Sequence, residues 1–376
     1  NLHEGLVAYL PLLFLVAMSL ALRVMLAAVN IRQVVFWLVD GAILAIAFGM
    51  FQFFGNLAGL SQSFTGLREQ YSWQRLGFPR LQSLALEPLY FSAYLLLPCS
   101  LVGSLAKRDK NRGFLKIISI LLGIMIADEL TVSRGGLAAA VVAFAVIEIF
   151  NYKSWRQLVK IALVLVVAGA ATIGVIVLVG RQGLDPKVTY GTKGVGTLTS
   201  HLGDLHFTPS TQNAAKDDSI NQRSRARTQA KQVAKDYPKV LLFGTGIGQY
   251  HAFARAHYTN PDEGEPNNAI IEQLVQTGLV GLGLLVSILA VMLLGLVKIA
   301  KATTDSYTRA LAIGLFAFIL GISLQAQTFT GLVITPLWFA VGMSLFLIQS
   351  SLDKHKKQTK SHATQKNQTS RRSPVR

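Results

Sequence analysis

Three arginines are the residues of this chain best suited to bind an anion. Arg134 stands between two hydrophobic runs, and Arg223 and Arg227 lie four residues apart in a long polar segment. A guanidinium group donates forked pairs of hydrogen bonds that match the oxygens of a phosphate group. A diphosphate is therefore a good match for the pair Arg223 and Arg227, and Arg134 is a candidate for facing a cavity or a partner.

The surroundings of Arg134 leave two interpretations open. An arginine at membrane depth usually faces a cavity or a partner, because its charge is costly in lipid. Gly135 and Gly136 follow it, and glycines would let the backbone turn and let a bulky ligand come close. An ion pair with Asp128 or Glu129 would explain the arginine without any ligand.

Residues 219–237 have the periodicity of an amphipathic helix, with acidic and capping residues at its start and a lysine near its end. At 100° per residue, Arg223 and Arg227 fall within the apolar face, whereas Arg225 points away. A solvated helix would place its arginines opposite the apolar stripe. We therefore expect these two to bind an anion, and a salt bridge to acidic residues of the same segment is the alternative.

Polar residues near the end of this segment are candidates for holding or activating a hydroxyl group. Glu265-Pro-Asn267-Asn268 leads directly into a hydrophobic run, and His251 and His257 precede it. A histidine or a carboxylate can act as a general base, whereas an asparagine orients a hydroxyl or caps the helix. Capping is the expected role of Asn268, and an ordinary surface histidine is the alternative for either imidazole. The sequence has no histidine and cysteine spacing typical of a metal site, so we predict no metal and no cofactor.

A glycine-rich stretch, Gly244-Thr-Gly-Ile-Gly248, lies between these two groups of residues. Its G-x-G-x-G spacing, without a βαβ unit or a suitably placed acidic residue, excludes a dinucleotide site. We interpret it as a flexible loop on the phosphate side of the site or as a hinge.

The composition identifies the elements that must position these residues. Apolar residues make up 51% of the chain and charged residues only 15%, and several runs exceed the roughly 18 apolar residues of a transmembrane helix. Most of the net charge of +17 falls in short loops and the C-terminal tail, which indicates membrane topology rather than nucleic acid. The single cysteine, Cys99, excludes an intrachain disulfide.

The hydrophobic runs predict about nine transmembrane helices. They fall at about Glu4–Arg23, Val34–Gly55, Pro88–Ala106, Phe114–Glu129, Leu137–Ile149, Leu158–Val179, Ala269–Ala300, Tyr307–Thr328 and Leu332–Gln349. The chain begins at Asn1 rather than methionine, and its first run lacks the pattern of a cleaved signal peptide. We therefore expect that run to remain as a helix.

With nine spans, every strongly basic loop falls on one side, which the positive-inside rule makes cytoplasmic. We accordingly predict an all-α polytopic membrane protein with one long, partly helical extracytoplasmic segment. Its parts are a transmembrane bundle at 1–180, the catalytic segment at 181–268, transmembrane helices at 269–349, and a basic tail at 350–376. The tail is rich in Lys, Gln, Ser and Thr, so we expect it to be disordered, with contact to anionic lipids as an option.

Four short motifs follow one another from Arg75 to the last hydrophobic run. They are Arg75 with Glu87-Pro88, Ser133-Arg-Gly-Gly136, Arg223 with Pro238 and the stretch Gly244–Gly248, and Asn268 with Thr277-Gly278. In residue type and order they resemble the motifs of the O-antigen ligase and O-antigen polymerase family of bacterial membrane glycosyltransferases.

The resemblance implies transfer of a glycan from an undecaprenyl-diphosphate carrier to an acceptor hydroxyl, outside the cytoplasmic membrane of a bacterium and without a metal ion. By position, Arg134 and Arg223 would hold the diphosphate and stabilise the charge that develops on it. The histidine of the family would activate or orient the acceptor hydroxyl.

The chain departs from the family pattern at one position, because Asn267 stands where the family has that histidine. Asparagine takes no proton at neutral pH. Either His251, His257, Glu265 or Glu263 serves as the base, or the enzyme depends mainly on stabilising the leaving group. A diverged, inactive member of the family is a third option.

We therefore predict a glycosyltransferase that ligates or polymerises lipid-linked surface polysaccharide. Arg134, Arg223 and, as a third candidate, Arg227 bind the diphosphate, and Asn267 with its neighbours faces the acceptor, a glycan or a lipid. The other partners are membrane lipids, and no nucleic acid is expected. A non-enzymatic transporter or flippase of a lipid-linked oligosaccharide is the rival, favoured by Asp40 inside the second run.

Overall fold

The computed structural model describes residues 2–72, 79–106, 114–151, 218–259, 261, 267–329 and 332–370. Within these ranges the regular elements are helices. In chain order they are α1 Leu2–Ala28, α2 Ile31–Leu57, α3 Gln62–Thr65, α4 Pro88–Ala106, α5 Phe114–Leu130, α6 Arg134–Asn151, α7 Asp218–Asp236, α8 Pro238–Phe243, α9 Tyr250–His257, α10 Ala269–Ala302, α11 Ser306–Gln325 and α12 Thr335–Ser370. Short 3₁₀ turns occur at Glu69–Tyr71 and Ala326–Thr328.

Seven of the described helices are long and apolar enough to cross a membrane, namely α1, α2, α4, α6, α10, α11 and the part of α12 up to Asp353. Helix α5, with 17 residues, is short for a hydrocarbon layer of about 30 Å. The predicted run at 158–179 lies outside the described residues. The prediction of an all-α polytopic membrane protein is confirmed, and the number nine stays a prediction.

Helix α11 forms the centre of the bundle. It packs against α4, α6 and α10, while α1 packs against α12. Leu315 and Phe318 of α11 are fully buried, and a Cβ atom at Gly321 would lie 2.8 Å from the Ala139 carbonyl oxygen of α6. Small residues allow such close approach between membrane helices, which have little hydrophobic drive to associate in lipid.

The bundle has two chemically different ends. At one end, which we call the basic end, Arg32 lies 4.8 Å from the ring centroid of Tyr307. Also at this end, Arg309 donates to the Phe150 carbonyl at 3.4 Å. The opposite end, which we call the loop end, carries Val132, Asn267 and the 3₁₀ turn at Ala326–Thr328. The described helices thus separate Arg32 and Arg309 from the candidate site.

A second, smaller core lies at the loop end. Ala230 and Val233 of α7 pack with Val240 of α8, Tyr250 of α9 and Val275 of α10. The predicted helix at 219–237 is present as α7. Its apolar stripe attaches the described part of the polar segment to the first turns of α10, rather than leaving that part as a free extracytoplasmic loop.

Helix α12 continues as far as Ser370, where the sequence predicted a disordered tail from residue 350. Lysine and glutamine have good helix propensity, and extending an existing helix avoids the cost of nucleating a new one. The expectation of disorder therefore differs from the structure over residues 350–370.

Candidate active site at the loop end

The 3₁₀ turn Ala326–Thr328, which we call the junction turn, connects the elements that carry the predicted site residues. The Gln327 carbonyl accepts a hydrogen bond from Arg227 of α7 at 3.3 Å. The Gln327 side-chain oxygen accepts one from the Asn268 amide at 2.9 Å. Thr328 packs directly on Gly135 at the start of α6. Three segments that are far apart in the sequence therefore meet at one turn.

Arg134 is the first residue of α6 and points away from the protein interior. Ser133 caps the helix, because its hydroxyl accepts a hydrogen bond from the Gly136 amide at 3.1 Å. The guanidinium group is exposed and forms no hydrogen bond or ion pair with any residue that the structure describes. The alternative of an ion pair with Asp128 or Glu129 is therefore not realised, and the cation is presented for an anion from outside the bundle.

Gly135 and Gly136 allow neighbouring segments to pack closely against α6, and they do not form a turn. Both belong to α6, so the backbone stays helical. A Cβ atom at Gly136 would overlap the Ser92 hydroxyl, and one at Gly135 would overlap the Thr328 hydroxyl. The expectation that they turn the backbone and admit a bulky ligand is wrong, because neighbouring helices already occupy that space.

The turn before Arg134 is held by Arg80, which the sequence analysis missed. Its Nε donates to the Thr131 carbonyl at 2.9 Å, and a terminal nitrogen donates to the Val132 carbonyl at 3.1 Å. Val132 has a φ of +53°, which is strained for a β-branched residue. Arg75, the arginine that the sequence motif singled out, lies outside the described residues, and spacing alone could not distinguish it from Arg80.

Helix α7 places Arg225 and Arg227 as the periodicity predicted. Ala226, Ala230 and Val233 are fully buried, Arg225 is exposed, and Arg227 is half-buried. One terminal nitrogen of Arg227 donates to the Asn267 carbonyl at 2.9 Å as well as to the Gln327 carbonyl. These bonds tie α7 to the start of α10 and to the junction turn.

Arg223 belongs to the same face of α7. Its backbone lies one helical turn before Arg227, and residues four apart share a helix face. Its side chain is outside the described part of the structure. Its place on the apolar stripe therefore follows from the helical phase that the three buried residues of α7 establish.

The two asparagines at the start of α10 differ in role. The Asn268 side-chain oxygen accepts from the Ile271 amide at 3.0 Å, which confirms that Asn268 caps α10. Asn267 adopts the left-handed region with a φ of +45°, a conformation that asparagine tolerates better than most residues. Its carbonyl accepts the hydrogen bond from Arg227. Glu265 and Glu263 lie outside the described residues.

The two histidines lie on α9. The ring of His257 stacks on Phe253 with centroids 4.1 Å apart, and meets the edge of Tyr237 at 5.0 Å. Tyr237 follows the last residue of α7, about 15 Å along the helix axis from Arg227 at 1.5 Å per residue. The structure therefore does not bring His257 to the arginine. His251 is half-buried, with its ring 5.1 Å from that of Tyr250.

The glycine-rich stretch fastens a kink in α10. Gly278 has a φ of +67° inside this helix, so the carbonyls of Val275 and Gln276 lose their usual helical partners. The Thr245 and Gly246 amides donate to these two carbonyls at 2.8 and 2.9 Å. The expectation of a flexible phosphate-side or hinge loop is wrong, because these backbone donors are already used in holding α10.

A large cavity of about 920 Å³ opens beside the start of α10. Its walls come from α2, α4, the segment before α4, the first turn of α10 and the start of α12. They are mostly aliphatic and aromatic, and the residues are Gly41, Leu44, Ala45, Ser83, Leu84, Ala85, Leu86, Tyr90, Phe91, Tyr94, Glu272, Val333, Ile334, Thr335 and Pro336. Glu272 is the single ionisable carboxylate among them.

Comparison with known families decides what kind of protein carries this site. A family model described as O-antigen ligase matches residues 96–286, just over half of the chain. The chain belongs to the O-antigen ligase family. No curated protein matches it. The resemblance read from the short motifs is thereby confirmed.

Membership of the O-antigen ligase family makes this protein a multi-pass bacterial membrane protein and a glycosyltransferase-type enzyme of polysaccharide assembly. Its substrates are a lipid-linked glycan and an acceptor. The matched range contains Arg134, Arg223, Arg227 and Asn267 together with the kink at Gly278.

The junction turn and most of the cavity wall lie outside the range that the O-antigen ligase model matches. Gln327 could not be found from the sequence, since a glutamine near a helix end carries no periodic or motif signal. Glu272 offered a usable signal, because it is an acidic residue in the first turn of a membrane-spanning run.

Proposed function

We propose that this member of the O-antigen ligase family transfers a glycan from an undecaprenyl-diphosphate carrier to an acceptor hydroxyl at the loop end. The main support is the exposed guanidinium group of Arg134, which lies next to the junction turn that also holds the arginine-bearing helix α7. Arg134 has no protein partner among the described residues and lies at the end of a membrane helix. It is therefore suited to bind an anion that arrives from the membrane surface.

In the proposed reaction, Arg134 and Arg223 bind the diphosphate, and Arg227 adds to the positive charge nearby. As the bond between the anomeric carbon and the diphosphate oxygen breaks, negative charge accumulates on the leaving group. Fixed guanidinium groups stabilise that charge most strongly where water is excluded. We infer that they do so without a metal ion.

Arg227 has a second task in this proposal. Because one of its terminal nitrogens donates to two backbone carbonyls, it fixes the distance between α7 and the start of α10. Arg223, one turn earlier on the same face, is thereby held over the loop end. The structural role of Arg227 and its contribution to charge are compatible, since a guanidinium group has five donors.

The acceptor is proposed to approach Asn267, with His251, His257 and Glu265 as the other residues that the sequence predicted. Asn267 is suited to orienting a hydroxyl group but takes no proton. His257 is the weakest of these candidates, because its ring is stacked at the far end of α7.

The loop end is proposed to face the extracytoplasmic side of the cytoplasmic membrane. The positive-inside rule supports this orientation, because Arg23, Arg32 and Arg309 gather at the opposite end. A polymer-forming or ligating enzyme of this family would then meet its carrier after the carrier has crossed the bilayer.

Reconstitution tests the proposal. The purified protein is placed in liposomes with radiolabelled undecaprenyl-diphosphate glycan, and both chain extension and transfer to added lipid or glycan acceptors are measured. We expect free carrier diphosphate to appear in step with product. Movement of the labelled lipid across the bilayer with no bond broken would instead establish the transporter.

A further inference from the structure

Glu272 is a carboxylate that the reaction described above does not use. It lies in the first turn of α10 and is only 7% exposed. Its Oε1 accepts a hydrogen bond from the Gln276 amide at 2.9 Å. Burying a carboxylate at the edge of a membrane is costly, which makes a functional reason for this residue worth testing.

Glu272 lies between the cavity and the junction turn to which Arg227 is hydrogen-bonded. It lies one helical turn after Asn268, so the two side chains share a face of α10. Gln327 accepts a hydrogen bond from the Asn268 side chain and another from Arg227. Glu272 therefore stands about 6 Å along α10 from Asn268, at 1.5 Å per residue, where α10 borders the cavity.

The cavity walls fit a ligand with a polar head and a hydrocarbon part. Leu44, Leu84 and Val333 line it and remain substantially exposed, so they offer apolar surface to a chain. Tyr90 and Tyr94 add aromatic surface on α4. A pocket of apolar walls with one or two placed polar groups is typical of small-ligand sites, and here the ionisable group in the wall is the Glu272 carboxyl.

We propose that Glu272 is a catalytic residue that takes the proton of the acceptor hydroxyl, and that the cavity holds a lipid-linked glycan as acceptor. This inference rests on the proposed glycan transfer. The hydroxyl oxygen forms a bond to the anomeric carbon of the donor while its proton moves to a carboxylate oxygen of Glu272. The bond from that carbon to the diphosphate oxygen breaks, and its electron pair leaves with the diphosphate.

This assignment accounts for the departure of the chain from its family at Asn267. An asparagine cannot take the proton, whereas a carboxylate one turn beyond the neighbouring residue can. The two halves of the site are then separate. The arginines near the junction turn hold the leaving group, and Glu272 on the cavity side holds the acceptor.

A structural role is the competing explanation, because an acidic residue in the first turn stabilises a helix through its dipole. A general base and a merely structural residue predict different results when an anionic nucleophile replaces the acceptor hydroxyl. Azide attacks an anomeric carbon without losing a proton, so it needs no base. A variant that has lost only the general base keeps the reaction with azide. A variant whose site is misfolded loses both the reaction with azide and the transfer to a hydroxyl group.

The experiment compares E272Q with wild type in liposomes containing radiolabelled undecaprenyl-diphosphate glycan. Chain extension with the same lipid-linked glycan as acceptor and formation of glycosyl azide are both measured. We expect chain extension to fall at least about 100-fold, the usual contribution of a general base. Glycosyl azide formation should stay within about threefold of wild type.

E148Q is the matched control, because Glu148 is another buried glutamate of a membrane helix and does not line the cavity. It should leave both reactions near wild type. E272D keeps a carboxylate and should restore part of the chain extension lost in E272Q. If E272Q does not reach the membrane, E272D carries the test, with reduced extension and retained azide reaction as the expected result.

Two outcomes overturn the role of Glu272 while leaving glycan transfer intact. One is chain extension by E272Q within about threefold of wild type, and the other is an equal fall of the hydroxyl and azide reactions. If wild-type protein forms neither product from the donor, the proposed function itself fails.

Discussion

At the scale of single residues, the arginines of this chain divide into those that hold the protein together and those presented to a ligand. Arg80 and Arg227 donate to backbone carbonyls at the loop end. Arg134 has no described partner and is exposed. Arginine suits both tasks, since its planar fork can bridge two carbonyls as readily as two phosphate oxygens. Residue type alone does not say which task a given arginine performs.

Replacing a proposed diphosphate ligand should remove activity without removing the protein. R134A and R223A are each expected to lower glycan transfer at least about 100-fold, because a fixed donor to the developing charge is lost. The measurement is labelled product formed per amount of protein in the membrane.

R225A is the control for that experiment. Arg225 belongs to the same helix as Arg223 but is exposed on the other face, so its loss should change transfer less than about threefold. Undiminished transfer by R223A would remove Arg223 from the diphosphate site, whereas an equal loss in R225A would indicate damage to α7 as a whole.

At the scale of elements, the clasp between the glycine-rich stretch and α10 sets the geometry of the site. Gly278 and Gly244 both have positive φ, and a Cβ atom at either would overlap backbone atoms of the opposing segment. The close approach lets the Thr245 and Gly246 amides bond to the carbonyls exposed at the kink. The clasp thereby fixes the first turns of α10, which carry Glu272 and follow directly on Asn267 and Asn268.

Adding a single methyl group at the kink should loosen the whole loop end. G278A is expected to destabilise the protein by about 2 kcal/mol or more, because alanine is strained at this φ and its Cβ meets backbone rather than a movable side chain. Thermal unfolding of the protein in detergent and glycan transfer are measured together, and both should fall.

Gly283 provides the comparison within the same helix. A Cβ atom there meets nothing within 4 Å, so G283A should unfold at or slightly above the temperature of the wild type, since alanine favours helix. A G278A protein as stable as G283A would show that the close approach at Gly278 is dispensable.

At the scale of the whole molecule, the arrangement of charge predicts the orientation in the membrane. Among the described residues, Arg23, Arg32 and Arg309 lie at one end of the bundle near short connections between spans, and the candidate site lies at the other. The positive-inside rule predicts that the basic end is cytoplasmic. The predicted division of the chain into membrane and extracytoplasmic parts depends on this orientation.

Cysteine labelling of intact cells tests the orientation. In a C99A background, S61C at the loop end should react with a membrane-impermeant maleimide added from outside. D353C at the basic end should react only after the cells are opened. Cys99 is buried in α4, so its removal clears the background. Labelling of D353C in intact cells would reverse the topology and exclude an extracytoplasmic site.

The sequence by itself determined the features that depend on local periodicity and composition. Apolar runs placed the described membrane helices, because a span needs about 20 apolar residues whatever its neighbours are. Phasing at 100° per residue placed Arg227 on the buried face of α7 and Arg225 on the exposed face. The capping role of Asn268 was equally local, since a cap involves only the first turn of its own helix.

Only the tertiary structure decided which of these residues meet. The bond from Arg227 to Gln327 joins positions 100 residues apart, and no periodic pattern encodes such a pair. The glycines at 135, 136 and 244 were interpreted as freedom to turn, yet each permits close contact with a segment distant in sequence. Glu272 gains a proposed role only because α2, α4 and α12 form a cavity beside it. Contacts of this kind depend on how whole helices pack, which the order of residues within each helix leaves open.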